Sequence, residues 1–260
     1  MPSFWVEPGD TAGDQLVLRG DEVHHLTVRR RRPGDELDVI DGQGQFFRVR
    51  LRSLEGGVSE AHCDILSRHR DRGESPVELH LAPSLIKGQR FDFVVEKATE
   101  IGVAYIDPMI TFRGVVSGPS DNKLDRWERL ARAAAKQCGR SRVPRLGVPA
   151  SFEAVVARYQ QTCARVLMAV PDGGQGKLAR LLGGGERALA AGGGVGLLIG
   201  PEGGFTEEET MWAVAAGVSL FSWGPRTMRS DTSAVVLAAM VLDAATGNCS
   251  PQVGGDSVGV

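Results

Sequence analysis

A chain of 260 residues with 42% hydrophobic side chains can build one large or two small cores, and 24% charged residues is ordinary for a globular protein. The 30 Lys+Arg against 32 Asp+Glu give a net charge of −2, which excludes a wholesale nucleic-acid coat but leaves room for a local basic patch. Four scattered cysteines without a CxxC pair, and no apolar run of bilayer length, exclude a disulfide scaffold, a structural zinc and a membrane span from the expectations.

The first residues, MPSFWVEPGD, lack the basic start and apolar stretch of a signal peptide, so the expected setting is the cytoplasm. All five histidines (His24, His25, His62, His69, His80) fall in the first 80 residues. Chemistry in the remainder must therefore use carboxylates, Arg, Lys, Cys, backbone groups or a cofactor, and no metal site is expected there.

Residues 1–66 read as short strands and tight turns. The clearest hairpin pairs Glu36–Ile40 with Gln45–Leu51 across Asp41-Gly42-Gln43-Gly44; its second arm alternates Phe47, Val49 and Leu51 with Arg48, Arg50 and Arg52. The charged stretch Arg68–Pro76 has no apolar period and reads as a linker, dividing the chain into domains at 1–72 and 73–247. Beyond Val77 the pattern becomes strand–helix alternation. Strands are expected at Val77–Ala82, Tyr105–Ile110, Val166–Val170, Val195–Ile199 and Val218–Trp223. Helices are expected at Asp92–Ile101, closed by Gly102, at Leu124–Cys138, after the Thr206–Glu209 capping box, and at Thr232–Thr246. A short Ala-rich helix sits among the glycines of 183–194, and the tail 248–260 is expected to be disordered. Such alternation predicts an α/β domain around a parallel sheet covered on both faces.

Two strand-to-helix turns carry candidate chemistry. Leu197–Ile199 runs into Gly200-Pro201-Glu202-Gly203-Gly204-Phe205-Thr206, and ligands bind at the carboxyl ends of strands in open α/β sheets. A phosphate fits poorly, because there is no Walker lysine and Glu202 with Glu207–Glu209 surrounds the helix start with negative charge. A cationic or zwitterionic ligand fits better, and a plain tight turn is the alternative. The second turn, Trp223 to Ser233, offers an apolar wall and two arginines, Arg226 and Arg229, beside residues that cap the last helix. Between 123 and 145 there are eight Lys/Arg against two Asp/Glu, and Arg29–Arg32 is a second cluster. Two such clusters in an acidic chain point to a polyanion, with solvated surface as the alternative.

Taken in order, these segments resemble the RsmE family of 16S rRNA uracil-3-N methyltransferases of the SPOUT (trefoil-knot) superfamily. The matching stretches are His24-His25-Leu26 with Arg29, Pro33-Gly34-Asp35, Asp41–Gly44, Lys87–Asp92 and Glu96–Val103. They continue through Gln137–Pro144, Ile199–Phe205 and Gly224–Ser233, so the resemblance covers residues 4–247. Departures are small: Asp231 stands where a Glu is usual, Ser233 where an Ala is, and Cys138 replaces a smaller polar residue.

The resemblance implies a PUA-like RNA-gripping β-barrel at the N-terminus and a SPOUT-type α/β domain with a deep trefoil knot. It implies S-adenosylmethionine bent into the knot, leaving as S-adenosylhomocysteine, and held mostly by backbone groups of three loops. Those loops bring Met168 and Val170; Leu198, Ile199, Gly200, Pro201, Glu202, Gly203 and Gly204; and Trp223, Gly224, Pro225 and Met228, with Thr232. Arg229 is the expected stabiliser of charge developing on the base, with Asp231, another carboxylate or water as the expected proton acceptor; His25, Arg29, Arg30, Lys87, Lys97, Arg140 and Arg142 are the expected RNA contacts. The implied partners are 16S rRNA within the 30S subunit and a second copy of the chain, without a membrane. Competing readings are a related methyltransferase acting on a ribose 2′-hydroxyl or another base, a non-catalytic ribosome-assembly factor, and a small-molecule enzyme.

Overall fold

The computed structural model describes residues 3–54, 60–115, 118, 121–172, 174, 178–182 and 193–246. The glycine-rich stretch at 183–192 and the tail at 248–260 lie outside the described residues. The chain divides into two compact units.

The first unit joins Met1–Glu74 with Asp92–Ala104 and Pro119–Leu146. Its strands are β1 (Phe4–Trp5), β2 (Thr11–Ala12), β3 (Gln15–Arg19), β4 (Glu36–Ile40), β5 (Gln45–Leu54) and β6 (Glu60–Arg70). They form one curled sheet in the order β1-β4-β5-β6-β3-β2. The alternation in β5 sends Phe47, Val49 and Leu51 inward, where they meet Leu16, Leu18, Val39 and Ala61, and leaves the intervening arginines outside. The hairpin turn is set by Asp41, whose carboxylate accepts the amides of Gln43 (2.7 Å) and Gln45 (2.9 Å).

Two local readings need correction here. The first unit contains helix α1 (Asp21–Val28), which buries Val23 and Leu26 where only strands and turns were expected. Strand β6 also continues to Arg70 through the first third of the expected linker, because Gln45 to Phe47 pair with Arg68 to Arg70. Polar side chains hid it: pairing partners, not apolar period, hold that end. Helices α2 (Arg90–Ile101) and α3 (Asp121–Cys138) are joined within this unit by Asp92, which accepts from Arg126 Nε (2.8 Å) and Trp127 Nε1 (2.9 Å).

The second unit joins Ser75–Phe91, Tyr105–Gly118 and Gly147–Val260. Strands β7 (Leu79–Pro83), β8 (Tyr105–Ile106), β9 (Cys163–Ala169), β10 (Gly194–Ile199) and β11 (Ser219–Phe221) form a parallel sheet in the order β8-β7-β10-β9-β11. The central strand β10 is buried along its whole length, as a strand covered on both faces must be. On one face lie α4 (Phe152–Thr162) and α5 (Glu207–Ala215), packing Val155, Val156 and Ala213 against Val166, Met168 and Leu198. On the other, α6 (Ser230–Thr246) packs against β7 and β10. Gly196 is required by close approach: a Cβ there would sit 2.6 Å from the ring of Tyr159.

The expected strand Tyr105–Ile110 is broken after Ile106. Pro108 brings no N–H to continue the ladder, and the Asp107 carboxylate is taken by the Tyr159 hydroxyl (2.7 Å) and Arg158 (2.8 Å). The chain then pairs Met109–Ile110 with Ala150–Ser151 in a separate two-stranded sheet. Helix α4 was not anticipated, although Ser151 caps it through the Ala154 amide (3.2 Å) and its buried residues, Phe152, Val155, Val156 and Tyr159, keep helical spacing. No helix among the described residues is long and apolar enough to cross a membrane.

Candidate functional site

The carboxyl ends of β9, β10 and β11 surround a cleft within the second unit. Three loops line it. Ala169, Val170 and Pro171 follow β9; Ile199 to Glu202, Gly204 and Phe205 follow β10; Trp223 and Arg226 to Met228 follow β11. Ser230, Ser233 and Leu237 close the base from the start of α6.

The β10 loop owes its shape to local chemistry. Thr206 and Glu209 make the reciprocal capping box that starts α5, with hydroxyl to amide at 3.0 Å and carboxylate to amide at 2.8 Å. Gly204 lies at φ +67°, where a side chain would be strained, and its amide closes the turn onto the Pro201 carbonyl (2.9 Å). Ser230 Oγ, at the head of α6, donates to the Gly200 carbonyl (2.7 Å) and so ties the second turn to the first. Glu202 at the cleft rim is held by Arg90 (2.6 Å). The Glu208 carboxyl is held below the usual carboxylate range by the amides at the helix start and the Thr206 hydroxyl, with a smaller contribution from the charge of Arg113.

The structure brings together most of the expected cofactor residues. Val170, Ile199, Gly200, Pro201, Glu202, Gly204, Trp223 and Met228 all line the cleft. Met168 and Leu198 do not: both side chains are fully buried in the core under α4 and α5, because alternate residues of a strand face opposite sides of the sheet. Gly203, Gly224, Pro225 and Thr232 are outside the lining set, as are Arg229 and Asp231. Arg229 is exposed one residue before α6, and Asp231, in its first turn, accepts from the Thr232 amide (2.9 Å). The lining residues not anticipated as ligands are Ala169, Pro171, Phe205, Arg226, Thr227, Ser230, Ser233 and Leu237. Ser230 was legible only as a helix cap; nothing in the sequence links it to a carbonyl thirty residues earlier.

The expected RNA contacts scatter over both units and differ in availability. His25 and Arg30 are exposed in the first unit and Lys87 in the second, while Arg29 lies 5.5 Å over the Phe4 ring. Lys97 is bracketed by Glu96 and Glu100, both at 2.8 Å, whose hydrogen bonds push its pKa up to about 12. Arg142 is bound to Asp71 (2.6 Å). Arg140 must be reassigned: it is 3% exposed, and its guanidinium donates to the Thr99 and Val103 carbonyls (2.7 and 2.9 Å) and to Glu74 (2.7 Å). Such a group closes the interior of the first unit and has no donor face left for a phosphate. Among the described residues no group of three His, Cys, Asp or Glu could hold a metal ion.

Two family models match successive stretches of the chain. A family model described as an RNA methyltransferase domain matches residues 73–242, and one described as an RNA methyltransferase PUA domain matches residues 18–57. The chain is 30% identical to ribosomal RNA small subunit methyltransferase E of Synechocystis sp., over 91% of this chain and 75% of the relative. The Bacillus subtilis protein of the same name is 27% identical over 83% of this chain and 85% of its own. Among solved structures, ribosomal RNA small subunit methyltransferase E from Neisseria gonorrhoeae bound to S-adenosyl methionine superposes with a TM-score of 0.76 at 28% identity, covering 92% of this chain and 96% of that one. A Legionella pneumophila methyltransferase in complex with SAM gives 0.75 at 27% identity, covering 94% and 99%. With the RNA methyltransferase domain model matching more than half of its residues and the PUA domain model part of its N-terminal region, the chain belongs to the RNA methyltransferase family, in its small-subunit ribosomal RNA methyltransferase E branch.

Proposed function

We propose that this protein methylates N3 of a uridine near the 3′ end of 16S rRNA, using S-adenosylmethionine. The observation that carries the reading is the cleft itself, lying at the strand ends of a chain from this family. Its apolar wall of Trp223, Met228, Leu237 and Phe205, with Glu202 and Arg226 both in the lining, suits a zwitterion with an aromatic portion better than a phosphate. The glycines at 200 and 204 leave backbone groups open to close approach, as a ligand recognised through main-chain hydrogen bonds requires. Residues 1–72 grip RNA and 73–247 carry out transfer in this reading, with the second domain threaded as a trefoil knot. The working form is a cytoplasmic homodimer acting on the 30S subunit.

When bound, S-adenosylmethionine supplies an electrophilic methyl group on a sulfonium centre. The chain's own residues do the rest. N3 of uracil is a poor nucleophile until its proton leaves, and the negative charge that develops spreads onto O2 and O4. Arg229, exposed beside the cleft, stabilises that charge, and Asp231, at the start of α6, accepts the N3 proton. N3 lies on the pairing edge, so the uridine is taken unpaired or flipped out.

The test is methyl transfer from labelled S-adenosylmethionine to unmodified 30S subunits, followed by primer extension. An N3-methyl group stops reverse transcriptase one nucleotide short, so a single new stop near the 3′ end is expected. Arg229→Ala is expected to lower the transfer rate about a hundredfold while S-adenosylhomocysteine affinity stays within about twofold. Equal losses in both would make Arg229 a cofactor contact. Label without a stop would move the target to a ribose or another non-pairing position.

A further inference from the structure

Arg113 belongs to neither strand-end turn and does not line the cleft, yet it is bonded to the back of the cleft wall. Thr111 to Gly114 form a tight turn, closed by the Gly114 amide on the Thr111 carbonyl (3.0 Å). The turn is rooted in the core: the Thr111 hydroxyl lies 3.3 Å from Ser84 Oγ, and the Ser84 amide donates to the Ile199 carbonyl (2.8 Å). At its tip, Arg113 Nη1 donates to the carbonyls of Gly203 (2.9 Å) and Phe205 (3.2 Å). Gly203 approaches so closely that an added Cβ would touch the Arg113 stem at 3.4 Å.

A second anchor lies beside the first. The Phe112 amide donates to Glu209 Oε1 (2.9 Å), while Glu209 Oε2 accepts the Thr206 amide (2.8 Å). One buried carboxylate thus ties the 111–114 turn to the end of the β10 loop and the start of α5. A loop with three glycines among seven residues has many alternative backbone states, and each must be surrendered before a ligand can be gripped. Bonds that remove those states in advance leave more of the contact energy as affinity.

From this we infer that Arg113 and Glu209 are positioning residues, which fix the shape of the Gly200–Thr206 wall from behind and so set the cofactor affinity of the cleft. The inference rests on the cofactor reading above. Arg113 suits the role because one guanidinium nitrogen carries two hydrogens and can serve two carbonyls at once. Neither residue touches the reacting atoms, so catalysis at saturating cofactor is left intact.

The test compares the full-length wild type with Arg113→Ala, Arg113→Lys and Glu209→Gln. The readouts are calorimetric titration with S-adenosylhomocysteine, KM and kcat on 30S subunits, Tm, and ligand-free amide exchange. Arg113→Ala should raise the S-adenosylhomocysteine Kd and the S-adenosylmethionine KM about tenfold, with kcat and the RNA KM within about twofold. Exchange at the Gly204 and Thr206 amides should quicken without a matching fall in Tm. Arg113→Lys, which keeps the charge and a donor, should recover most of the affinity. Glu209→Gln, which sets an amide donor against a backbone N–H, should reproduce the loss. Unchanged cofactor affinity in Arg113→Ala overturns the inference, as does a raised RNA KM in its place, or a loss that merely tracks the unfolded fraction. A wild type that binds no S-adenosylhomocysteine overturns the cofactor reading and this inference together; a wild type that binds it no better than Arg113→Ala overturns this inference alone.

Discussion

The loop after β10 and the loop after β11 face the same cleft but are held in different ways. Gly200 is bonded by Ser230, Glu202 by Arg90, Gly203 and Phe205 by Arg113, and Thr206 by Glu209. By contrast, Trp223 to Met228 make no hydrogen bond to another described residue, and Trp223 is 48% exposed. The first wall is shaped by the chain before any ligand arrives. Among the described residues the second is tied at its two ends, by Ser222 Oγ on the Pro171 carbonyl (2.6 Å) and by Ser230 on Gly200, with Trp223 to Met228 spanning between them. Affinity should therefore respond to changes in the two walls very unequally.

The largest effect is expected at the tied wall. A Cβ on Gly200 would lie 3.1 Å from two atoms of the Phe205 ring, so Gly200→Val forces that ring and the turn apart. S-adenosylhomocysteine affinity should fall about a hundredfold by calorimetry, and unchanged affinity would show that this wall does not set the shape of the site. Ser230→Ala removes the donor to the Gly200 carbonyl and should cost about 1 kcal/mol of binding, about a fivefold weaker Kd. Transfer at saturating cofactor should stay near the wild-type rate. The smallest effect belongs to the free wall: Trp223→Ala removes a side chain already half in solvent, and about a threefold loss of affinity with unchanged Tm is expected. A loss larger than that of Ser230→Ala would reverse the comparison.

The contrast also explains what could be read from the sequence. The β10 turn was legible because its determinants are local: an apolar strand, glycines at the bend and Thr206–Glu209 three residues apart. Helix α4 carried equally local signals and went unread, since Ser151 and the spacing of Phe152, Val155, Val156 and Tyr159 were both present. Other features were out of reach. Arg140 meets Glu74 across sixty-six positions, and Arg113 meets Gly203 across ninety. Nothing in either neighbourhood announces the partner, so a buried structural arginine and a surface RNA contact look alike in one dimension.

The ion pairs of the first unit bear on how binding to RNA will respond to salt. Of the eight basic residues between 123 and 145, five already face carboxylates: Arg126 with Asp92, Arg132 with Glu7, Lys136 with Glu22, Arg140 with Glu74 and Arg142 with Asp71. A cation matched from within displaces few counterions when a phosphate approaches. On the duplex-DNA scale of about 0.9 ions released per phosphate contact, the salt slope from this segment should fall well short of the value of about −7 that a count of its basic residues gives. RNA binding by this segment should accordingly persist at ionic strengths that would strip a protein relying on all eight charges.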